Sequence, residues 1–582
     1  MKRTHVTAAG LLLMALAASS CIALDWHFEG AAASSGGSAT ASSTGAGGAT
    51  SATTGSGGGA PGSGGGATSS GVTGTGGAPT ACVPGAPASC YSGPPSTENV
   101  GACHSGTATC LDDGSGLGPC NGEATPKLLD CKPSTDENCD GLADSADPLC
   151  ATKLTGTHVW SKVFPAQNDQ LGTSVAVDSA GNVVIAGIFQ DTVNFGGGAL
   201  VSAGANDIFV AKFSPSGQLL WSQRFGGPTN EGERGVRVGL DGAGNVLLTG
   251  MFETGSDFGG GPLVTFSKNE VFILKLDPSG TPLWCKTFGA PSLSTESLAV
   301  SASGNVAVTG YFGGTVDLAG AMLTSAGSND IFVAELGPSG APIWGRAFGD
   351  VGADNGASIA FTPAGNVFVT GYFSGTVGFG PVPLTSAGLG DIFVAKLDLT
   401  GTTLWSKRFG DASFQGDVTL AVDGLADVFL LGRLNGTVDF GAGPLTGVTK
   451  KDIFLAKLDP SGVPLWSKAF NGTSSLIGAG IAADSSGNVV MTGQVSGSVD
   501  LGSGPLPAAG GNDIFVAKLS PTGKTIWSKR FGDAANEEGT SVAVDSSANV
   551  LVLSYGGGTI DFGGGILVSG GGGDPFLTKL AP

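Results

Sequence analysis

Residues 513–532 read Asp-Ile-Phe-Val-Ala-Lys-Leu-Ser-Pro-Thr-Gly-Lys-Thr-Ile-Trp-Ser-Lys-Arg-Phe-Gly. Versions of this phrase surround seven of the eight tryptophans in the chain, which are Trp160, Trp221, Trp284, Trp344, Trp405, Trp466 and Trp527. The intervals between these tryptophans are 61, 63, 60, 61, 61 and 61 residues. A fixed period of this kind indicates a protein built from copies of one structural unit.

Each unit predicts four short β-strands. In the last complete unit these are residues 481–484, 488–495, 513–519 and 524–531, which are apolar and partly β-branched. Glycine-, serine- and proline-rich turns such as Ser520-Pro-Thr-Gly523 separate them. Four strands per unit are typical of a propeller blade. A solenoid would call for distinctive polar caps at both ends, and the sequence shows no such caps.

The two ends of the repeat region predict how the blades close into a ring. The seventh unit stops after its third strand, at Asp574–Pro582, whereas a fourth strand with its tryptophan stands alone at Trp160–Phe164. Pairing of these two segments would complete the last blade and leave few open sheet edges. We therefore predict an all-β protein with a seven-bladed β-propeller over residues 151–582, four strands per blade, closed by the N-terminal strand.

The repeat phrase resembles that of a known family. Asp391-Ile-Phe-Val-Ala-Lys396 with Trp405-Ser-Lys-Arg-Phe-Gly410 is similar to the bacterial seven-bladed β-propeller (SBBP-type) repeat. The resemblance covers Trp160 to Pro582, and it implies the fold without implying any single activity. Upstream, Asp136-Glu-Asn-Cys-Asp-Gly141 is similar to the Cys-rich repeats, thought to bind metal, of large bacterial surface proteins.

The first twenty residues predict export. Lys2 and Arg3 precede an apolar run from Val6 to Ala18, which is too short to span a bilayer but suits a signal peptide over residues 1–20. The sequence Ala18-Ser-Ser-Cys21 resembles the lipobox of bacterial lipoproteins, which implies that Cys21 is lipidated. The alternative is ordinary cleavage near Ser20 and secretion. We expect a lipid-anchored protein of the cell envelope, at the outer membrane or cell surface.

Two segments separate the anchor from the propeller. Residues 21–81 are almost entirely Gly, Ala, Ser, Thr and Pro after Gly30, and they predict a disordered linker. Residues 82–150 predict a disulfide-rich module, because an exported loop-rich stretch here carries eight cysteines, namely Cys82, Cys90, Cys103, Cys110, Cys120, Cys131, Cys139 and Cys150. Their pairing stays open. Cys285, alone among the repeats, is predicted to be an unpaired thiol.

One loop of the Cys-rich module has the spacing of calcium ligands. Positions 1, 3, 5, 7, 9 and 12 of the calcium-loop pattern fall on Asp136, Asn138, Asp140, Leu142, Asp144 and Asp147. Leu142 would bind through its backbone carbonyl, and Gly141 permits the sharp bend. The alternatives are a solvated acidic turn and a zinc site, but zinc would favour Cys-x-x-Cys pairs or more histidine than His104. We expect Ca²⁺ and no organic cofactor.

Residues that recur in every repeat are expected to serve the fold, and residues that vary between repeats are the candidates for function. An acidic residue opens every predicted third strand, at Asp207, Glu270, Asp330, Asp391, Asp452, Asp513 and Asp574, and repetition in all blades favours a role in setting up the strand over a cation site. The blade-joining loops 228–234, 350–355, 411–417 and 533–538 vary most, so we expect them to form an acidic binding face. Arg234, Arg237 and Arg433 would be its exceptions.

Charge and missing histidines narrow the function. A formal net charge of −20 argues against nucleic acid as a partner. The repeats contain no histidine after His158, which removes a Ser-His-Asp triad and imidazole ligands from the propeller. We predict a monomeric, non-catalytic binding or display module for a protein or glycan. The alternative is a carboxylate-dependent enzyme such as a glycosidase or lyase, which would need an Asp/Glu pair outside the seven-fold pattern.

Substitution Cys21→Ser should release the protein from membranes and leave the propeller folded, because the linker separates the two. Membrane fractionation of cells that express the full chain measures this, with the linker substitution Ser56→Ala as the control. Equal membrane partition of Cys21→Ser and wild type would contradict lipidation.

Overall fold

A computed structural model describes residues 83–91, 98–100, 103–113, 116–125, 156–232, 235–265, 270–318, 320–449 and 451–582. Contacts divide the chain into two compact units, one within Asp25–Lys153 and one that contains Leu154–Pro582. The predicted signal peptide, the whole predicted linker with Cys21, and all six predicted calcium-loop residues lie outside the described residues. No helix in the described part is long and apolar enough to cross a bilayer.

The Cys-rich unit is a small β-structure. Pro87–Cys90 pairs antiparallel with Gly106–Thr109, and a disulfide joins Cys90 to Cys120. Cys103 and Cys110 are also disulfide-bonded and are buried. These four cysteines are therefore oxidised, as predicted, and are not available as thiolate ligands. Cys285 corrects the sequence prediction, since it too is disulfide-bonded; its partner lies outside the described residues.

The larger unit is the predicted seven-bladed propeller, in which each blade is a four-stranded antiparallel sheet. The first strands are Gln170–Val177, Arg237–Leu240, Ser292–Val300, Asn355–Phe361, Thr419–Val422, Leu476–Ala483 and Glu537–Val544. The second strands are Val183–Phe189, Val246–Phe252, Val306–Gly313, Val367–Phe373, Val428–Leu434, Val489–Val495 and Val550–Gly556. The third strands are Asp207–Phe213, Glu270–Leu276, Asp330–Leu336, Asp391–Leu397, Asp452–Leu458, Asp513–Leu519 and Asp574–Leu580.

The fourth strands form the outer edge of each blade. They are Leu219–Phe225, Pro282–Gly289, Pro342–Phe348, Thr403–Phe409, Pro464–Phe470, Thr525–Phe531 and, completing the seventh blade, His158–Val163. Between second and third strands most blades add a small hairpin, as Thr192–Asn194 with Ala199–Val201, Thr315–Leu318 with Ala321–Thr324, Thr376–Val377 with Leu384–Thr385, Thr437–Asp439 with Pro444–Thr446, Ser498–Asp500 with Pro505–Pro507 and Thr559–Asp561 with Ile566–Val568.

The first strand of the sixth blade shows where sequence patterning fails. It begins at Leu476, five residues before the predicted start at Ile481. Its register shifts at a bulge between Gly478 and Gly480. A bulge breaks the two-residue alternation, and glycines carry no side chain to display it. The other three strands of this blade match their predicted bounds to within one residue.

Each blade packs on the next through its tryptophan. The indole Nε1 of Trp405 donates to the carbonyl oxygen of Pro460 in the following blade at 3.1 Å. Gly462 of the same turn lies against the Trp405 ring, so that a Cβ there would come within 2.9 Å of it. The same Trp-to-Pro bond joins Trp160 to Pro215, Trp221 to Pro278, Trp284 to Pro338 and Trp466 to Pro521. The predicted packing role of the tryptophans is correct.

A buried ion pair repeats beside the tryptophan contact, where Lys275 Nζ donates to the same Pro338 carbonyl oxygen as Trp284 Nε1. The third-strand Lys212 pairs with Asp178, which begins the turn between first and second strands, at 3.2 Å. Equivalent pairs are Lys275–Asp241, Lys457–Asp423, Lys518–Asp484 and Lys579–Asp545. Both members are almost fully buried, so removal of one partner would leave an uncompensated charge in the core.

Ring closure uses both ends of the propeller chain. Trp160 pairs with Lys579 and Val163 with Phe576, as predicted. The turn between third and fourth strands of the seventh blade is thereby split, and Ala581 N donates to Thr157 O across the gap at 2.7 Å. Gly156 takes the place of the turn glycine and lies against the Trp527 ring, as Gly462 lies against Trp405. The split blade therefore keeps the contact between neighbours.

The tryptophan contact gives a matched test of stability. Substitution Trp405→Phe should lower the free energy of unfolding by about 1 kcal/mol more than Trp527→Phe, because a typical hydrogen bond contributes about that much. Trp527 Nε1 has no acceptor among the described residues, so Trp527→Phe removes ring atoms alone. Urea unfolding followed by circular dichroism measures both. Equal losses would show that the Pro460 carbonyl contributes nothing.

Candidate functional site

The first strands of neighbouring blades contact one another all the way around the ring and enclose an axial channel. At one repeat position the side chain faces this channel, and its residues are Ser174, Arg237, Ser297, Ser358, Thr419, Gly480 and Ser541. Four of the serines accept a backbone N–H from the next blade, from Val238, Ile359, Leu420 and Val175, at 3.1–3.2 Å. We call this ring of side chains the hydroxyl belt. It joins the blades at the axis.

Two charged side chains interrupt the belt region. Arg237 stands at the belt position of the second blade, and Glu296 stands one residue before the belt position of the third. Arg237 Nε donates to the carbonyl oxygen of Glu296 at 2.9 Å. The sequence predicted Arg237 as an exception on the acidic face of the blade-joining loops; it lies instead in the first strand of the second blade, Arg237–Leu240, and lines the channel. Arg234 lies outside the described residues.

The channel opens on the face where first strands begin and second strands end. One repeat position near the end of the second strand carries five different residue types in the seven blades, and its residues are Ile188, Met251, Tyr311, Tyr372, Arg433, Gln494 and Tyr555. All except Met251 are half-buried. Three of the four tyrosines of the chain stand at this one position. We call these seven residues the mouth ring.

Members of the mouth ring are held by neighbours that also vary between blades. The Tyr372 ring meets Phe414 edge-on at 5.2 Å between centroids, and its hydroxyl accepts from Asn355 Nδ2 at 3.5 Å. Arg433 pairs with Asp417 at 2.9 Å. Burial raises the pKa of Tyr555 above its usual value, and the charge of Asp169 adds to the effect. The mouth therefore combines aromatic, cationic and acidic groups.

The acidic residues that open the third strands are part of the architecture, as predicted. Six of the seven accept a hydrogen bond from a backbone N–H four residues upstream: Ala203 to Asp207, Ala326 to Asp330, Ala387 to Asp391, Val448 to Asp452, Ala509 to Asp513 and Gly570 to Asp574. Three also pair with a fourth-strand arginine, which is Arg224 for Asp207, Arg408 for Asp391 and Arg530 for Asp513. These carboxylates fix the loop before the strand.

Three blades bury a second carboxyl group beside the first. Glu231, Asp354 and Glu537 are almost fully buried at the start of the next first strand. A Cβ at Gly532 would lie 2.4 Å from Asp513 Oδ1 and 2.5 Å from Glu537 Oε2, so only glycine fits between them. Burial raises the pKa of Asp354 to about 6 and that of Glu537 to about 7, and the nearby carboxylates add to both shifts.

The aspartates that open the acidic blade-joining loops are hydrogen-bonded within the fold, and the binding face predicted from these loops stays a prediction. Asp350, Asp411 and Asp533 each open such a loop and accept a backbone N–H from the second–third hairpin, at 2.7 Å in every case. Each also caps an N–H of its own loop. These carboxylates tie loop to hairpin. A repeat spacing of 61 residues between Asp350 and Asp411 was the signal in the sequence that could have shown this.

The predicted calcium ligands cannot be placed, since Asp136 to Asp147 lie outside the described residues. Within the residues that the structure describes, no group of three or more His, Cys, Asp or Glu side chains is arranged to hold a metal ion. The channel residues Arg237 and Glu296 and the mouth ring were missed by sequence reasoning as a site. They could have been found by asking which repeat positions vary instead of which loops vary.

Comparison with known proteins gives one relative by sequence. The chain matches no protein-family model. It is 22% identical over 499 residues to an uncharacterized WD repeat-containing protein, L264, of Acanthamoeba polyphaga mimivirus, covering 68% of this chain and 36% of that protein. The chain thus spans about a third of the length of the curated relative that it matches. The resemblance to the bacterial repeat family stays a prediction.

Solved structures overlap only loosely. The WD40 domain of Neurospora crassa Pan2 is 10% identical, with a TM-score of 0.36 over 73% of this chain and 95% of that chain. The polysaccharide lyase Uly1 is 11% identical, with a TM-score of 0.37 over 70% and 90%. The α-L-arabinofuranosidase Arb93A from Fusarium graminearum is 10% identical, with a TM-score of 0.33 over 61% and 96%. Overlaps this loose carry no argument about function.

The buried carboxyl beside Asp513 predicts a pH dependence. A raised pKa means that the folded protein holds a proton that the unfolded chain has released, so this contribution to stability is full below about pH 4.5 and is lost as pH rises through about 7. Glu537→Gln introduces the residue that two other blades carry at the equivalent position, as Gln170 and Gln415. It should flatten the fall in the urea unfolding midpoint between about pH 4.5 and about pH 7.

The control for this measurement is the exposed carboxylate Asp317. Asp317→Asn should keep the wild-type dependence of the urea midpoint between pH 4.5 and 8. If Glu537→Gln also keeps the wild-type slope, the buried carboxyl does not titrate in this range.

Proposed function

We propose that the protein is a non-catalytic binding module, and that its propeller binds a protein partner at the mouth ring. One observation carries this: side chains that depart from the repeat collect around one end of the axial channel, whereas the acidic loops are tied into the fold. Rigid strands position these side chains, which favours a preformed binding surface.

The chemistry of the mouth ring favours a protein over a glycan. Tyrosine and arginine are enriched in the centres of protein interfaces, and the mouth ring carries Tyr311, Tyr372, Tyr555 and Arg433, all half-buried. The flanking Asp417 and Glu538 add acceptors at the same mouth. A half-buried tyrosine offers a large apolar face at a small cost in side-chain entropy, because its ring is already held.

The enzyme alternative has less support in the channel. A glycosidase mechanism needs two carboxyl groups about 5–10 Å apart across the reacting bond. Among the residues that line the channel cavity, Glu296 is the only carboxylate. Glu538 at the mouth is the candidate for the second carboxyl group. Burial raises its pKa. Loss of any hydrolytic or lyase activity in Glu296→Gln would favour the enzyme.

Export and lipid anchoring through Cys21 are part of the same proposal, together with a calcium-stabilised Cys-rich module. An anchor and a Gly-rich linker of some fifty residues would give the propeller a reach of roughly 40 Å from the membrane. Such a reach suits a module that presents its binding face to partners at the cell surface.

Substitution Tyr372→Ile tests the binding surface, because Ile188 occupies the same position in the first blade and the fold should tolerate it. Affinity capture from membranes of the source cells, with quantification by mass spectrometry, should return a partner with wild type that is reduced about tenfold or more with Tyr372→Ile. The control is Leu404→Ala on the outer strand, where Leu404 is 52% exposed.

A partner recovered equally with wild type and Tyr372→Ile would contradict a mouth-ring interface. Loss of the partner with Leu404→Ala alone would move the interface to the outer edge. Binding to a glycan array that is abolished by Tyr372→Ile would keep the site and change the ligand class from protein to glycan.

A further inference from the structure

The axial channel contains a second chemical feature, separate from the mouth ring. Side chains from all seven blades line a cavity of about 320 Å³. The residues that line it are otherwise small hydroxyl or apolar residues, and its two ionisable groups are Arg237 and Glu296. Six of seven blades place Ser, Thr or Gly where the second blade places Arg237. Six blades form this ring with small residues, so packing alone does not require the charged Arg237 in the second blade.

The Arg237 guanidinium is only partly used by the protein. Its Nε donates to Glu296 O at 2.9 Å, and no salt bridge to the Glu296 carboxylate or to any other described acid forms within 4.0 Å. The four N–H groups on Nη1 and Nη2 have no acceptor among the described residues. Burial lowers the pKa of Arg237, and the Glu296 charge opposes that effect. A guanidinium presents its N–H donors in a planar fork, and here the donors on Nη1 and Nη2 are available to a ligand.

Serines of the hydroxyl belt line the same cavity. Ser174 Oγ accepts from Val238 N and Ser297 Oγ accepts from Ile359 N. A hydroxyl whose oxygen already accepts from the backbone keeps its own O–H free to donate. These two serines flank Arg237 in the neighbouring blades. In the sixth blade the belt position is Gly480, which also lines the cavity.

We propose that the channel binds the carboxylate of a small organic acid between the Arg237 fork and the belt hydroxyls. A planar carboxylate matches a guanidinium fork with two parallel hydrogen bonds. One positive charge with Glu296 nearby suits a singly charged ligand and disfavours a dianion. Glu296 can also accept from a hydroxyl on the atom next to the carboxylate. The cavity holds roughly ten water volumes, so the ligand is a small molecule.

Glycolate is the probe, titrated calorimetrically into the full chain at fixed ionic strength. Wild type should bind it with a dissociation constant on the order of millimolar, whereas the neutral amide, glycolamide, and sulfate should bind at least about tenfold more weakly. This comparison uses unaltered protein, so it does not depend on a variant that folds. No heat with glycolate at 50 mM, or equal affinity for glycolamide, overturns the proposal.

Arg237→Ser provides the matched variant, because serine is the residue of four other blades and its hydroxyl can accept from Leu298 N as the belt does elsewhere. It should lose glycolate binding by about tenfold or more. Arg346→Gln, which places on the outer strand Pro342–Phe348 the residue that the first blade has as Gln223, should bind like wild type. Glycolate binding that survives Arg237→Ser, or that disappears in Arg346→Gln, overturns the channel site.

Glu296→Gln tests the choice of a singly charged ligand. Removing the carboxylate should tighten sulfate binding relative to glycolate, because a repulsive charge is lost while the guanidinium stays. Unchanged sulfate affinity would show that Glu296 does not act on the bound ion, and would overturn the reason for preferring a monoanion. These experiments use no residue of the mouth ring, so their outcome is independent of the proposed protein interface.

Discussion

The contact of one indole with the next blade is the interaction on which the ring depends. The tryptophan ring covers a turn glycine and, in most blades, its N–H donates to a proline carbonyl of that turn. Each blade alone is a small sheet with two faces to cover, and it cannot bury them without neighbours. A repeated contact of fixed geometry sets one rotation per blade. Seven such rotations return to the start, and the split seventh blade completes the circle.

The glycines of these turns explain why the repeat is so strict there. Gly462 has a φ of +80°, a conformation that favours glycine, and the Trp405 ring occupies the space where a Cβ would be. Both the backbone and the packing therefore require the same residue. The residue before each tryptophan carries no such constraint and is exposed, as Leu220, Leu404 and Leu465 are. Repeat positions that do not vary between blades therefore mark contacts from one blade to the next.

Closure also creates the places where function can reside. Seven equivalent strands must meet at the axis, so every repeat position there becomes a ring of seven side chains. Most of these rings are nearly uniform and serve cohesion, such as the hydroxyl belt. Two depart from uniformity: the belt at Arg237, and the mouth ring at Tyr311, Tyr372, Arg433 and Tyr555. The ring geometry brings together residues that are some sixty or more positions apart in the chain.

Period, turn chemistry and strand propensity in the sequence determined the number of blades, the four strands of each and the closing pairing of Trp160 with Lys579, because these depend on local patterns repeated many times. They also predicted that the tryptophans and third-strand acids are structural. Side-chain environment was decided by tertiary structure. The acids of loops such as 350–355 looked free in sequence but cap backbone N–H groups of a distant hairpin. Arg237 was expected on the face of the blade-joining loops but lines the axial channel, because a channel exists only after the first and last blades have met.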